Sequence, residues 1–287
     1  MQHTIKDKPC LAGIISDRLS KSPEVRPFPT AVTQLSAACQ NSISNSQTFA
    51  SIIERDPALS AKILRMANSP IFCPAGQVKG IAHAATVLGV RKLRSVAMSV
   101  AGAEMFSSGE QAQNQRLQLW NHSIGCAVVA RSVAGHFAGV DKDEAFLAGV
   151  FHDIGKLFFY DAIPNEYSET EASFSGSNLV KEEELRFGTT HEVIGLASAE
   201  SWELPLEIRT AIGWHHRPSL AESCPAFAQV IHVADRLAKH WGIGSDGSPE
   251  ENLLDGLERE FGLIKSQFDS MEEEARRVFD ETQSAAG

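Results

Sequence analysis

Residues 143–160, DEAFLAGVFHDIGKLFFY, are apolar around the whole of a helical wheel, with Phe146, Leu147, Val150, Phe151, Ile154, Leu157 and Phe158, yet they carry His152, Asp153 and Lys156. A helix that is hydrophobic on every side belongs in a core. A carboxylate beside an imidazole costs several kcal/mol there unless something pairs with it. Three partners could do so: a satisfied hydrogen-bond network, the lysine, or a metal ion.

The same anomaly recurs downstream. His122 shares a helical face with Val129 and Val133. His191 follows Thr189-Thr190 and precedes Glu192, a capping-box pattern in which Thr189 caps a helix and Glu192 reaches back to it. His191 then sits in the first helical turn, where the helix dipole disfavours imidazolium and keeps the ring neutral and able to ligate. His215 and His216 follow Ile208 and Ile212 at helical spacing, so at least one of the pair faces inward. Asp235 shares a face with Ala228, Ile231 and Ala238. Helix faces that turn imidazoles and carboxylates towards one core are accounted for if they converge on one or two divalent metals bridged by a carboxylate. His3, His83, His136, His232 and His240 belong to no such set and read as ordinary core or surface histidines.

The elements that must position these residues are helical almost throughout, and no stretch alternates at period two. The expected fold is all-α and two-lobed. Residues 1–24 form a tail or linker, 25–110 an N-terminal lobe of five helices, 111–245 a helical bundle carrying the candidate ligand residues above, and 246–287 a C-terminal amphipathic segment. Pro29 opens a helix bearing Val32, Leu35 and Cys39, and a second starts near Gln47. Asp56-Pro57 caps and starts a third that ends at Asn68-Ser69-Pro70. Two more, over 79–88 and 91–105, join across Gly89. Residues 165–177, rich in Ser and Glu, read as an exposed excursion, and residues 242–248 as a flexible link. Leu254, Leu257, Phe261, Ile264, Phe268, Met271, Ala275 and Val278 keep a 3,4 spacing, which fits either a helix docked on its own domain or a dimerising coiled coil weakened by Gly256 and Gly262.

The 287 residues carry a net charge of -10, with a pI near 5.5, so no concentrated basic face for nucleic acid is expected. No run approaches the roughly 18 apolar residues a membrane helix needs. The five cysteines form no CxxC pair, read as small core residues, and suit a reducing cytoplasm.

The order His122, then His152-Asp153-Ile154-Gly155-Lys156, then His191, His215-His216 and Asp235 resembles the HD superfamily of metal-dependent phosphohydrolases. DPALSAKILRMANSP (56–70), the run through Ile81, His83-Ala84, Leu88-Gly89 and Leu93, and HEVIGLASAESWELPLEIRTAIGWHH (191–216) are similar to HDOD domains, the HD-related output domains of bacterial signalling proteins. The likeness covers about residues 25–240. It implies an all-helical signal-transduction domain, often the output of a larger regulator, with a signalling partner or an upstream receiver domain and a possible homodimer through the C-terminal helix. After His215-His216 the chain reads Arg217-Pro218-Ser219-Leu220, without the Gly-Tyr-Pro of HD-GYP phosphodiesterases, so cyclic-dinucleotide hydrolysis is not implied.

If the site is catalytic, the resemblance implies that His122, His152, Asp153 and Asp235 hold one metal. Asp153 with His191 and His215 or His216 would hold a second, and the pair would polarise a phosphoryl oxygen and activate water. Lys156 either steadies phosphate charge or forms a salt bridge. Two functions follow from different classes: a cytoplasmic interaction module with a structural or sensing metal, and a metal-dependent phosphohydrolase of nucleotides or phosphodiesters with Asp153 and Lys156 as catalytic residues.

Overall fold

The computed structural model describes residues 34, 46–72, 78–108, 112–247 and 249–286, and among them every regular element is a helix. The tail over 1–24 and the helix expected from Pro29 lie outside the described residues.

The N-terminal lobe is built by α1 (Ser46–Ile53), α2 (Pro57–Ala67) and α3 (Ile81–Ser107). The Asp56 side chain accepts from Leu59 N at 3.0 Å and Pro57 occupies the first turn, as the sequence leads one to expect. Leu59, Ile63 and Ala67 then face the core while Met66 sits at its edge. Gly89, at φ 77 and ψ 166, breaks α3 into two helical runs, which a residue with a Cβ could not do without strain.

α4 (Gln113–Val133) and α5 (Lys142–Phe151) cross closely, because Gly149 leaves no side chain where the Ala127 backbone lies. α5 also packs on α3, on α10 (Leu206–Trp214) and on α11 (Pro225–Trp241), with Leu147, Val150 and Phe151 fully buried. Buried Arg94 of α3 pairs with Glu144 of α5, tying the N-terminal lobe to the bundle, and buried Arg116 of α4 pairs with Asp161 within the bundle.

Four expectations need correction. Residues 143–160 are two helices, α5 and α6 (Lys156–Ala162), separated by a turn closed by short-range bonds, Ile154 N to Phe151 O at 3.0 Å and Lys156 N to Asp153 O at 3.0 Å. The turn exists because Gly155 lies against the backbone of His191, where a Cβ would meet the carbonyl oxygen. Residues 165–177 are an ordered part of α7 (Pro164–Ser173) and α8 (Gly176–Phe187), which bury Tyr167, Thr170, Leu179, Val180 and Phe187 and turn their serines and most glutamates outward. Residues 242–247 are a packed turn. Gly242 caps α11 in the left-handed region, and Gly244 and Gly125 let the chain lie directly on α4. The cap of α9 (His191–Ser201) is Thr190, whose hydroxyl accepts from Val193 N at 3.2 Å, and not Thr189.

The C-terminal segment folds as α12 (Leu253–Phe261) and α13 (Lys265–Ala286), divided at Gly262, φ 71. α13 docks on α4 through Phe268, Met271 and Ala275, all buried. The division puts Leu263 inside and leaves Ile264 half exposed.

A candidate metal centre

Side chains from six places in the chain meet beside the turn that follows α5. Four come from helix ends: His152 and Asp153 after α5, Lys156 at the start of α6, His191 at the start of α9, and His215-His216 after α10. Two, His122 and Asp235, project from within α4 and α11. His152, His191 and His215 are fully buried, and Asp153 and Asp235 nearly so.

Asp153 sits between two groups. Its Oδ2 lies 3.3 Å from His152 Nε2 and 3.9 Å from His122 Nε2, while its Oδ1 lies 3.4 Å from His191 Nε2 and 3.5 Å from His215 Nε2. Asp235 Oδ1 is 2.9 Å from His122 Nε2 and 3.6 Å from His152 Nε2. One ligand atom each from Asp153, His191, His215 and His216 falls within 4.8 Å of the others, and the same holds for His122, His152 and Asp153. Every residue expected at the centre from the sequence is brought to it.

The hydrogen bonding shows whether these atoms can bind a cation. His152 Nδ1 is 2.8 Å from Gly149 O, His215 Nδ1 is 3.1 Å from Ile212 O, and His191 Nδ1 is 2.8 Å from Glu183 Oε2. In a neutral ring each acceptor would hold the proton on Nδ1 and leave the Nε2 lone pair facing inward, as in metal-ligating histidines. Of those inward atoms, Nε2 of His152, His191 and His215 and Oδ1 of Asp153 are buried and make no hydrogen bond, while the buried Nε2 of His122 faces Asp235 Oδ1 at 2.9 Å, an oxygen that Lys239 Nζ also approaches to 2.9 Å. Buried polar groups without partners are rare and each calls for an explanation. Imidazole nitrogens and carboxylate oxygens at this spacing fit divalent first-row ions.

Electrostatics keep the carboxylates available. Burial pushes the Asp153 carboxyl up, but the charges of Lys156 and His152 hold it well below the usual range. Asp235 behaves alike, with Lys239 and His122 overcoming burial. Burial lowers the pKa of His122, and burial among neighbouring histidine rings holds that of His216 far down, so both favour the neutral form. His191 differs from the expectation drawn from its helix position: burial lowers its pKa, yet the Glu183 carboxylate outweighs burial and raises it. Lys156 Nζ bonds both Asp153 Oδ2 and Glu171 Oε1 at 2.9 Å, so its salt bridge is present.

Sequence reasoning missed the supporting layer. Glu183 is fully buried and also takes the His191 N–H at 2.9 Å and the Tyr167 hydroxyl at 2.7 Å. Glu192 accepts from His216 N at 3.1 Å and Arg217 Nη2 at 2.7 Å, rather than reaching back to the helix cap. Lys239 holds Asp235 at 2.9 Å, and His232 Nδ1 contacts the His215 carbonyl at 2.8 Å. Cys126, one turn beyond His122, lies beside His152 and Asp235. A cavity of about 590 Å³ opens beside the centre, with His122, Lys156, Tyr160 and Lys239 in its wall.

Residues 25–218 match the HDOD domain family, and the chain belongs to that family. It is 25% identical over 211 residues to an uncharacterized protein from Treponema pallidum (strain Nichols), covering 72% of this chain and 40% of that protein. The chain thus spans about two fifths of that curated relative. Among solved structures it is similar to an HDOD domain protein of unknown function from Geobacter sulfurreducens, with TM-score 0.76 and 24% identity over 94% of this chain and 97% of that one. A provisionally named signal-transduction protein from Marinobacter aquaeolei VT8 aligns with TM-score 0.77 and 21% identity over 96% and 64% of the two chains. A provisionally named metal-dependent phosphohydrolase from Shewanella amazonensis SB2B aligns with TM-score 0.66 and 20% identity over 94% and 97%. These likenesses show a shared fold. Among the described residues no helix is long and apolar enough to cross a membrane.

Proposed function

We propose that the chain is a regulatory HDOD module whose helices are held by a centre of one or two divalent ions. His122, His152, Asp153 and Asp235 would take one ion, and Asp153 with His191, His215 and His216 a second. The observation that carries this reading is the set of buried, unbonded Nε2 and Oδ1 atoms facing one another across Asp153. Its output would pass to a signalling partner or an attached receiver domain, and α13 would be the place for self-association.

One observation favours a second reading, a phosphohydrolase: the cavity brings Lys156 and Lys239 to the same wall as His122. Ions bound here would supply Lewis-acid polarisation of a phosphoryl oxygen and acidify water. The chain's own part would be positional. Lys156 uses two of its three N–H groups on Asp153 and Glu171 and presents the third to a phosphate oxygen.

Elemental analysis of protein purified without chelator tests both, followed by a phosphodiesterase assay with added Mn²⁺ or Fe²⁺. One to two equivalents of metal without turnover supports the regulatory module, whereas turnover abolished by Asp153→Ala supports the hydrolase. Protein that binds no metal under either condition sinks both.

A further inference from the structure

We propose that Cys126 supplies a thiolate to the ion position formed by His122, His152, Asp153 and Asp235, making it a mixed nitrogen, oxygen and sulfur site that selects Zn²⁺ or Fe²⁺ over Mg²⁺. The inference rests on the metal-centre reading above and adds a ligand to it. Cys126 follows His122 by four residues on α4, so both side chains leave the same helical face. It is fully buried and in no disulfide. Its sulfur, a ring nitrogen of His152 and a carboxylate oxygen of Asp235 lie within 4.8 Å of one another. His152 Nε2 and Asp235 Oδ1 lie 3.6 Å apart and both are buried; the ring nitrogen makes no hydrogen bond, while the oxygen is met by His122 Nε2 and Lys239 Nζ at 2.9 Å each.

The spacing suits one ion. Ligands at zinc–nitrogen and zinc–sulfur lengths around a tetrahedral centre stand roughly 3.3–3.8 Å apart. On binding, the thiol releases its proton to solvent as the metal–sulfur bond forms, and no oxidant or reductant takes part. Thiolate is a soft donor, which disfavours Mg²⁺ and Ca²⁺. Cys126, His152 and Asp235 with one further donor from His122 or Asp153 would fill a tetrahedral position and close it, as in structural sites. The two positions would therefore differ in donor set, sulfur entering only the one beside Cys126.

Cobalt substitution of the full chain tests this, since Co²⁺ shows visible d–d bands in any protein site and a near-ultraviolet sulfur-to-metal band only with a thiolate. We expect both in the natural protein, loss of the sulfur band in Cys126→Ser, and retention in a variant that keeps Cys126 as its sole cysteine. Zinc affinity should fall about tenfold or more in Cys126→Ser, at the low end of what losing a supporting side chain costs a metal site. Should Cys126→Ser fail to fold, X-ray absorption of the zinc-loaded sole-cysteine variant decides, by the presence or absence of a sulfur shell at about 2.3 Å. Visible bands without the sulfur band overturn the thiolate and leave the metal centre standing. No cobalt uptake removes the metal centre, and this inference with it.

Discussion

Asp153→Ala is the perturbation with the largest expected consequence, and its size follows from the neighbours of the carboxylate. Removing one partner of a buried ion pair costs about 3–5 kcal/mol, because the other charge is left in a poor solvent. Lys156 is not left entirely alone, since Glu171 stays at 2.9 Å and the Lys156 charge, against burial, holds that carboxyl below its ordinary range. The lower figure, about 3 kcal/mol, therefore applies to chelator-treated protein. For a 287-residue chain unfolding as one unit the unfolding entropy is about 0.6 kcal/mol per kelvin, so the midpoint should fall by about 5 °C. Metal adds a second contrast of similar size. An ion present at a hundred times its Kd stabilises by about 2.7 kcal/mol, or another 4–5 °C, and only protein with an intact centre can gain it. Scanning calorimetry of both proteins, with chelator and with Zn²⁺ or Mn²⁺, gives the four values needed. A variant that melts within a degree of the natural protein in chelator, and rises as much on adding metal, would refute the argument that Asp153 is the shared member of the centre.

Three further outcomes are expected. Glu183→Gln should destabilise chelator-treated protein more at about pH 5.5 than at about pH 9. Glu183 raises the His191 pKa above its unfolded value, so the charged pair contributes fully below that value and fades as the pH rises through the folded one; equal losses by denaturant titration at both pH values would contradict this. Gly155→Ala should abolish metal uptake and cost about 3 kcal/mol or more, because the new methyl meets the His191 carbonyl backbone; a folded variant with full metal content would show that the turn has more room than the geometry allows. Asp56→Ala, far from the centre in sequence, should cost about 1 kcal/mol by loss of the α2 cap and leave metal content unchanged, read by thermal denaturation and elemental analysis.

The convergence of the candidate ligand residues was legible in the sequence because they interrupt apolar helical faces: His122 before Val129 and Val133, Asp235 between Ile231 and Ala238. The bend that presents His152 and Asp153 was not, since apolar residues at helical spacing flank residues 152–155 on both sides, Val150 and Phe151 before and Leu157 and Phe158 after. What bends the chain is a contact with His191, thirty-six positions past Gly155. Glu183 escaped notice in a stretch rich in charge, although Leu179, Glu183 and Phe187 recur at intervals of four and so put the glutamate on the inner face of α8. Lys239 and Cys126 carry the same kind of signal, each four residues after a member of the centre. Residues 242–248 looked like a spacer because glycine is common in spacers, whereas here it removes the Cβ atoms that would hold the turn off α4.

His122 and Asp235 touch at 2.9 Å although 113 positions of chain separate them. A bond between such distant points acts chiefly on the denatured polymer, whose freedom it curtails; for a covalent tie across a loop of about a hundred residues the chain-entropy model gives roughly 4–5 kcal/mol. An ion gripping both ends would work as a removable clasp of that kind, letting a cell loosen or tighten most of one lobe by the supply of a trace element.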